Sequence, residues 1–483
     1  MQTVSCPSCG APVEFRSHAS VMAVCAYCRA AVIKDADSVK DLGKISAVLE
    51  DFSPIQIGTA GIHGGRGFTV VGRIQLRYDQ GMWNEWYLLF DDGSAAWLGD
   101  SSGLFTITTV RETAPPLPDF HELVPGQSYQ IGADHYTASE KREAECIGGE
   151  GELPFRVGDG WAIRVVDFRS ASLFLTLDYT DGAIPVVYSG QAVLLPELRC
   201  QLLRDEEQIK TGTGRYRARV EALDCPSCGS AIKYVPGLTA NLVCPACATQ
   251  LDASGPEATV LAAGEALDKV ANTLALGASA NIAGSTHTVI GAMLRTDEEG
   301  TEWTEYLLFS PRAGFFWLVE TDEGWFRATV LPAWPAPAAP AARSVRVDNQ
   351  AYTKLYDYTA TVRHAAGAFN WRVAAGDRVQ VSEFESGQTT LAAELTEHEL
   401  TWSRSTPVAY DQIKTWFRID VTGDTPPDVK SPSSLVGSQM KFVWWILGLN
   451  AIPILFAFGE TFFMTIVALV ALFYPASYFQ DGD

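Results

Sequence analysis

Basic charge is scarce in this chain. Of 483 residues, 36 are Lys or Arg and 57 are Asp or Glu, a formal net charge of −21. A surface of that sign repels phosphate backbones unless positive charge is concentrated locally. The densest basic stretch, Arg215-Tyr216-Arg217-Ala218-Arg219, is explained more simply as the solvated face of a strand. No nucleic-acid partner is expected. Histidine is sparse too: seven residues, scattered, with no nucleophile–base–acid arrangement readable along the chain. No secretory signal pattern precedes Cys6, so the bulk of the chain is expected in the cytoplasm.

Against these absences stand ten cysteines, eight of them in two clusters. The first is Cys6-Pro-Ser-Cys9 and, after fifteen intervening residues, Cys25-Ala-Tyr-Cys28. The second is Cys225-Pro-Ser-Cys228 and, again after fifteen intervening residues, Cys244-Pro-Ala-Cys247. A CxxC pair puts two sulfurs on one tight turn, and two such pairs complete a tetrahedron around zinc. Gly10 and Gly229 follow the first pairs, where the knuckle needs a left-handed residue; Arg29 and Ala248 follow the second. Short strand patterns lie between the pairs. Each cluster therefore reads as a zinc ribbon of about 30 residues, too small to fold on its core alone. Iron suits four thiolates as well. A thioredoxin-like redox pair would open a helix in a βαβ unit, and none is visible. With all four positions filled by sulfur, the metal has no open site for catalysis. Two zinc per chain are expected, and the eight thiolates would bring the net charge to roughly −25. Cys146 and Cys200 read as buried free thiols, and reduced thiols suit a reducing compartment.

The duplication extends past the cysteines. Cys6 to Cys225 is an offset of 219 residues. The same offset carries Val70-Val71-Gly72 onto Val289-Ile290-Gly291 and Tyr87-Leu88-Leu89-Phe90 onto Tyr306-Leu307-Leu308-Phe309. Arg156-Val157, Gly160 and Phe168 match Arg372-Val373, Gly376 and Phe384 at an offset of 216. A period this long means copied domains, not a solenoid. Strand-like runs such as 68–76, 83–90 and 104–110, separated by turns, predict barrels or sandwiches. Val39, Leu42, Ile45 and Leu49, and again Leu267, Val270 and Leu274, recur at helical spacing. Pro-rich stretches at 114–118 and 332–340 fall inside each domain as loops.

Residues 424–439 read as a linker. Phe442 to Phe479 then run for 38 residues with one charge, Glu460, which divides them into 17 and 19 residues. Each part just suffices to cross a bilayer as a helix, with Trp444, Trp445, Tyr474 and Tyr478 near the outer ends. The expected fold is mainly β: two zinc ribbons, each followed by a β-barrel or sandwich-like domain, in tandem duplication, with a C-terminal transmembrane helical hairpin. The domains are ribbon 1 at 1–34, a helical connector at 35–53 and β domain 1 at 54–200. A connector with ribbon 2 follows at 201–253, a helical connector at 254–276 and β domain 2 at 277–423. The linker is placed at 424–440 and the hairpin at 441–480.

Trp83-Asn84-Glu85-Trp86-Tyr87-Leu88-Leu89-Phe90, followed by Trp97-Leu98, resembles the hallmark of a bacterial domain-of-unknown-function family, number 4178. Trp303-Thr304-Glu305-Tyr306-Leu307-Leu308-Phe309, followed by Trp317-Leu318, resembles it with one residue removed. The resemblance covers nearly the whole chain. It implies ribbons, two such domains, a C-terminal hydrophobic segment and a role at the envelope, with no catalytic residues to carry over. Read as a strand, Trp83, Glu85 and Tyr87 point one way and Trp86, Leu88 and Phe90 the other. The tryptophans fill a barrel core while the glutamate bonds a neighbouring strand; alternatively Trp83, Glu85, Trp86, Trp303 and Glu305 form a face that binds a protein partner. Gly61-Ile62-His63-Gly64-Gly65-Arg66-Gly67 could cradle phosphate, though a hairpin loop is the simpler reading.

Function is thus expected to be that of a scaffold anchored at the cytoplasmic membrane, holding protein partners. The alternatives are an enzyme with a pocket in a β domain, or a ribbon that binds nucleic acid against the charge.

Overall fold

The computed structural model describes residues 2–16, 22–28, 30–35, 38–44, 48, 53–79, 81–101, 103–112, 117–155, 161–205, 223–232, 241–252, 259–262, 272–310 and 313–419. All of them fall in one compact unit, Met1–Thr422. The linker and the apolar C-terminal segment lie outside the described residues. Among the described residues no helix is long and apolar enough to cross a membrane.

The protein is mainly β, in two similar halves. The first half is built on eight strands: β1 Arg66–Tyr78, β2 Gly81–Phe90, β3 Ala95–Ser101, β4 Leu104–Val110, β5 Asp134–Leu153, β6 Ala162–Ser170, β7 Leu173–Asp178 and β8 Val186–Val193. They pair antiparallel in the order β1-β2-β3-β4-β8-β7-β6-β5. A further pairing of β5 with β1 closes the ring, so each β domain is a barrel and not a sandwich. The second half repeats the pattern with β9 Ser285–Thr296, β10 Glu302–Ser310, β11 Gly314–Thr321, β12 Gly324–Val330, β13 Gln350–Phe369, β14 Arg378–Ser386, β15 Thr389–Leu395 and β16 Leu400–Val408. Here β13 pairs back to β9.

Closure depends on the 20-residue strands β5 and β13. Residues 137–145 of β5 pair with β6, residues 146–151 with β1, and residues 151–153 with the ribbon strand Met22–Val24. At the crossing Gly151 pairs with Gly72, and in the second copy Gly367 pairs with Gly291. A Cβ on Gly72 would sit deep inside the carbonyl of Glu152, and one on Gly367 inside that of Ile290. Gly151 and Gly367 also have φ of +70° and +97°. Only glycine satisfies both the approach and the backbone angle.

The two barrels touch. The Lys141 backbone N–H donates to the His398 carbonyl at 2.9 Å, and that of Trp334 donates to the Ala171 carbonyl at 2.9 Å. Trp334 belongs to the second Pro-rich stretch, which is a loop of its domain as expected.

One expectation needs correction. Residues 38–44 and 259–262 are strands, not helical connectors. Ser38–Lys44 pairs with Ala30–Asp35, with a register shift between Ala30 and Val32. A bulge changes the parity of a strand, so a three-residue spacing such as Val39 to Leu42 suits it as well as a helical turn. Ile45, Leu49, Leu267 and Val270 lie outside the described residues; Leu274 is buried but not helical. One helix, α1 Tyr410–Phe417, went unforeseen. Its buried Ile413 packs against the second barrel beside Tyr306 and Trp325.

Candidate functional site

Each CxxC pair sits on a knuckle tied by its own backbone. Gly10 donates to the Cys6 carbonyl at 2.8 Å, Gly229 to Cys225 at 2.8 Å, and Ala248 to Cys244 at 2.9 Å. Gly10 and Gly229 have φ of +77° and +73°. Ala248 reaches φ +54° without being glycine, a conformation that costs about 1–2 kcal/mol. Arg29, in the equivalent place, lies outside the described residues.

The knuckles bring all eight predicted cysteines into two groups of four, every sulfur within 4.8 Å of the others in its group. Cys6 to Cys28 is 3.6 Å and Cys9 to Cys25 is 3.7 Å. Cys225 to Cys247 is 3.8 Å and Cys228 to Cys244 is 3.7 Å. A tetrahedron with metal–sulfur bonds of about 2.3 Å has edges of about 3.8 Å. A disulfide would bring sulfurs to about 2.05 Å. The spacing therefore fits a four-thiolate metal ion and no disulfide. In both groups the first and third cysteines are buried and the second is exposed. Cys146 is a buried free thiol and Cys200 a half-buried one; burial pushes them up to about 12 and about 11.

The Trp-x-Glu motif lies elsewhere and does not form a surface. Trp83 is 7% and Trp86 1% exposed, and each belongs to a different core cluster. Trp83 packs with Ile74, Leu76 and Cys146, while Trp86 packs with Leu88, Phe105 and Leu198. Glu305 is buried and Trp303 half-buried. Burial of Trp83, Trp86 and Glu305 supports the core reading and goes against the alternative of a partner-binding face at Trp83, Glu85, Trp86, Trp303 and Glu305, of which only Glu85 and Trp303 are half-buried. The glutamate bonds its own tryptophan: Glu85 Oε1 accepts from Trp83 Nε1 at 3.0 Å, and Glu305 Oε1 from Trp303 Nε1 at 2.7 Å.

Glu85 faces the barrel interior, where Asp167 on β6 acts on it although β2 and β6 are not neighbours. Burial pushes the Glu85 carboxyl up to about 8, the Trp83 bond opposes this, and the charge of Asp167 adds to it. Asp167 is itself raised by burial, against a 2.7 Å bond donated by Thr176 Oγ1. The equivalent positions in the second barrel are Glu305 and Glu383, each raised by burial and by the charge of Glu394. Its countercharge differs. Arg295 Nη1 lies 2.9 Å from Glu305 Oε1 and 3.1 Å from Glu394 Oε1. Burial opposes its charge, but the two carboxylates outweigh burial and hold Arg295 charged. In the first barrel the guanidinium comes from Arg142 on β5, ion-paired to Glu140 and 4.9 Å from the Trp83 ring centre. Glu399, on the turn between β15 and β16, is raised by burial and lowered by Arg142 of the other barrel. Sequence reading missed Asp167, Glu383, Arg142, Arg295, Glu394 and Glu399. A signal for two of them lay beside the matched Phe168 and Phe384, each preceded by an acid.

The Gly61–Gly67 run is a tight hairpin, with Gly64 and Gly65 at φ +57° and +77° and Arg66 paired to Asp92 at 3.1 Å. An open groove of about 460 Å³ lies at the seam between the barrels, lined in part by Arg77, Tyr78, Asp79, Glu145, Asn241 and Arg372.

Two tandem closed barrels, each joined to a four-thiol knuckle pair, define the class of protein. The family described as Domain of unknown function (DUF4178) matches at residues 56–195 and 275–409, one match per barrel, and the chain belongs to it. No curated protein matches the chain.

Proposed function

We propose that this protein is a zinc-stapled scaffold, held at a bacterial cytoplasmic membrane by residues 442–479, that carries protein partners on its paired barrels with the bulk of the chain in the cytoplasm. The observation that carries this reading is the sulfur geometry: four thiols per site at tetrahedral spacing, repeated twice. Four thiolates suit zinc in a closed structural site, where the ion organises chain and leaves no position for substrate. Cys6, Cys9, Cys25 and Cys28 would hold one ion, and Cys225, Cys228, Cys244 and Cys247 the other. Thiolate ligands favour a reducing compartment. The 38-residue apolar stretch, which suits a helical hairpin, supports anchoring. Fractionation tests the anchor. The full chain should stay in the membrane pellet after alkaline wash, and a chain ended at Gly437 should be soluble and zinc-loaded. A truncated chain that still pellets would move membrane binding to the barrels; a full chain that is soluble would sink the anchor. Partners recovered with the full chain and with the truncated chain test the scaffold.

A second reading, an enzyme using a barrel interior, is favoured by one observation. Carboxylates with raised pKa are what acid–base catalysis uses, and the half-buried Glu85 is such a group. Loss of a measured reaction in Glu85→Gln, with stability kept, would put this reading ahead of the scaffold.

A further inference from the structure

We infer that each ribbon is a metal-held cap on its own barrel, so that loss of the ion opens that barrel's end. The inference rests on the zinc reading above and adds a regulatory consequence to it.

Three contacts carry it. The ribbon strand Met22–Val24 continues the barrel sheet by pairing with Gly151–Leu153, and Asn241–Val243 does the same with Gly367–Phe369. The ribbon also fills barrel core. Met22, Val24 and Ala31 share one apolar cluster with Ile74, Leu76, Trp83, Cys146 and Leu153. In the second copy Val243 packs with Ile290, Met293 and Phe369. Finally, the metal-binding cluster and the barrel are contiguous: Ala368, on β13, is buried among Cys225, Ile232 and Cys244. In the first copy the backbone N–H of Arg16 donates to Glu152 Oε1 at 2.6 Å.

A ribbon of this size has no independent core to hold its strand in place once the four thiolates lose their ion. Its strand then leaves the end of β5, and Trp83 and Cys146 lose their cover. The barrel keeps its own ring of eight strands, closed by the Gly72–Gly151 crossing. Opening is therefore local, at the ribbon end, not a collapse of the domain.

Cys146 is a built-in reporter. It is wholly buried in the apolar cluster that Met22, Val24 and Ala31 of the first ribbon complete, whereas Cys200 is half-buried and lies outside that cluster. The test is alkylation of the full-length, zinc-loaded chain by N-ethylmaleimide, read by peptide mass spectrometry, with zinc content measured in parallel. Stripping zinc with a chelator should raise the Cys146 rate by about a hundredfold if zinc had been a hundred times its dissociation constant, since the open state binds none. Cys200 should change little. Cys25→Ser should expose Cys146 without chelator. Cys244→Ser should leave Cys146 protected and raise amide hydrogen exchange at 365–369 instead. If zinc leaves and Cys146 stays protected, the cap is wrong while the zinc sites stand. If the purified chain holds no zinc and its thiols still cluster, both readings fall. If chelation also abolishes exchange protection in β7 and β8, the metal supports the whole domain and the cap is again wrong.

Discussion

Arg295 makes its ion pair with Glu305 across neighbouring strands of the second barrel, two residues along β10 from Trp303, its partner in register. In the first barrel the residue paired with the equivalent Trp83 is Leu76. The two copies thus keep the glutamate, half-buried in the first barrel and buried in the second, and differ in where the balancing cation enters.

Replacing Arg295 with Leu should therefore be costly. It leaves Glu305 and Glu394 without their buried partner, a loss of roughly 3–5 kcal/mol at neutral pH. Urea unfolding followed by tryptophan fluorescence measures it. Adding Glu305→Gln should restore part of the loss, because the two changes remove one interaction. Equal stability of Arg295→Leu and the parent would contradict the pairing.

Glu85 gives a pH prediction of definite sign. Its carboxyl is raised in the fold to about 8, so the folded state holds a proton that the unfolded chain releases. Its stabilising contribution is complete below the ordinary glutamate range and is lost as pH rises toward 8, with a slope of up to about 1.4 kcal/mol per pH unit. Glu85→Gln, which keeps the acceptor for Trp83, should match the parent near pH 4 and exceed it in melting temperature near pH 9. A parallel pair of stability curves across that range would refute the assignment.

Gly72→Ala and Gly291→Ala probe barrel closure. The new methyl meets the Glu152 carbonyl in one case and the Ala368 carbonyl at 2.7 Å in the other. Each should cost about 1–3 kcal/mol or more, since backbone cannot yield as a side chain does. Exchange protection should fall first at 146–153 in Gly72→Ala and at 362–369 in Gly291→Ala. Uniform loss across both barrels would argue against a local crossing.

Elemental analysis of the purified chain should find about two zinc ions. Cys25→Ser should lower that to about one and leave the second site loaded. Stoichiometric iron, or a Cys6–Cys9 disulfide on mass mapping, would overturn the zinc assignment.

The eight-cysteine pattern determined the two four-thiol clusters by itself, because cysteine spacing on a tight turn is a local property. Tandem copying was equally legible, since an offset of 219 residues survives in the letters. The glycine match of Gly72 with Gly291 was visible as well, but not its reason, which is a backbone crossing with residues some 80 positions away. The strand Ser38–Lys44 was misread because a bulge gives apolar residues helical spacing. Tertiary structure alone decided that the barrels close, that both faces of the Trp83–Trp86 strand are covered, and that carboxylates from distant strands meet inside. These depend on which strands come round to face one another, and burial and electrostatic coupling arise only once the ring has formed.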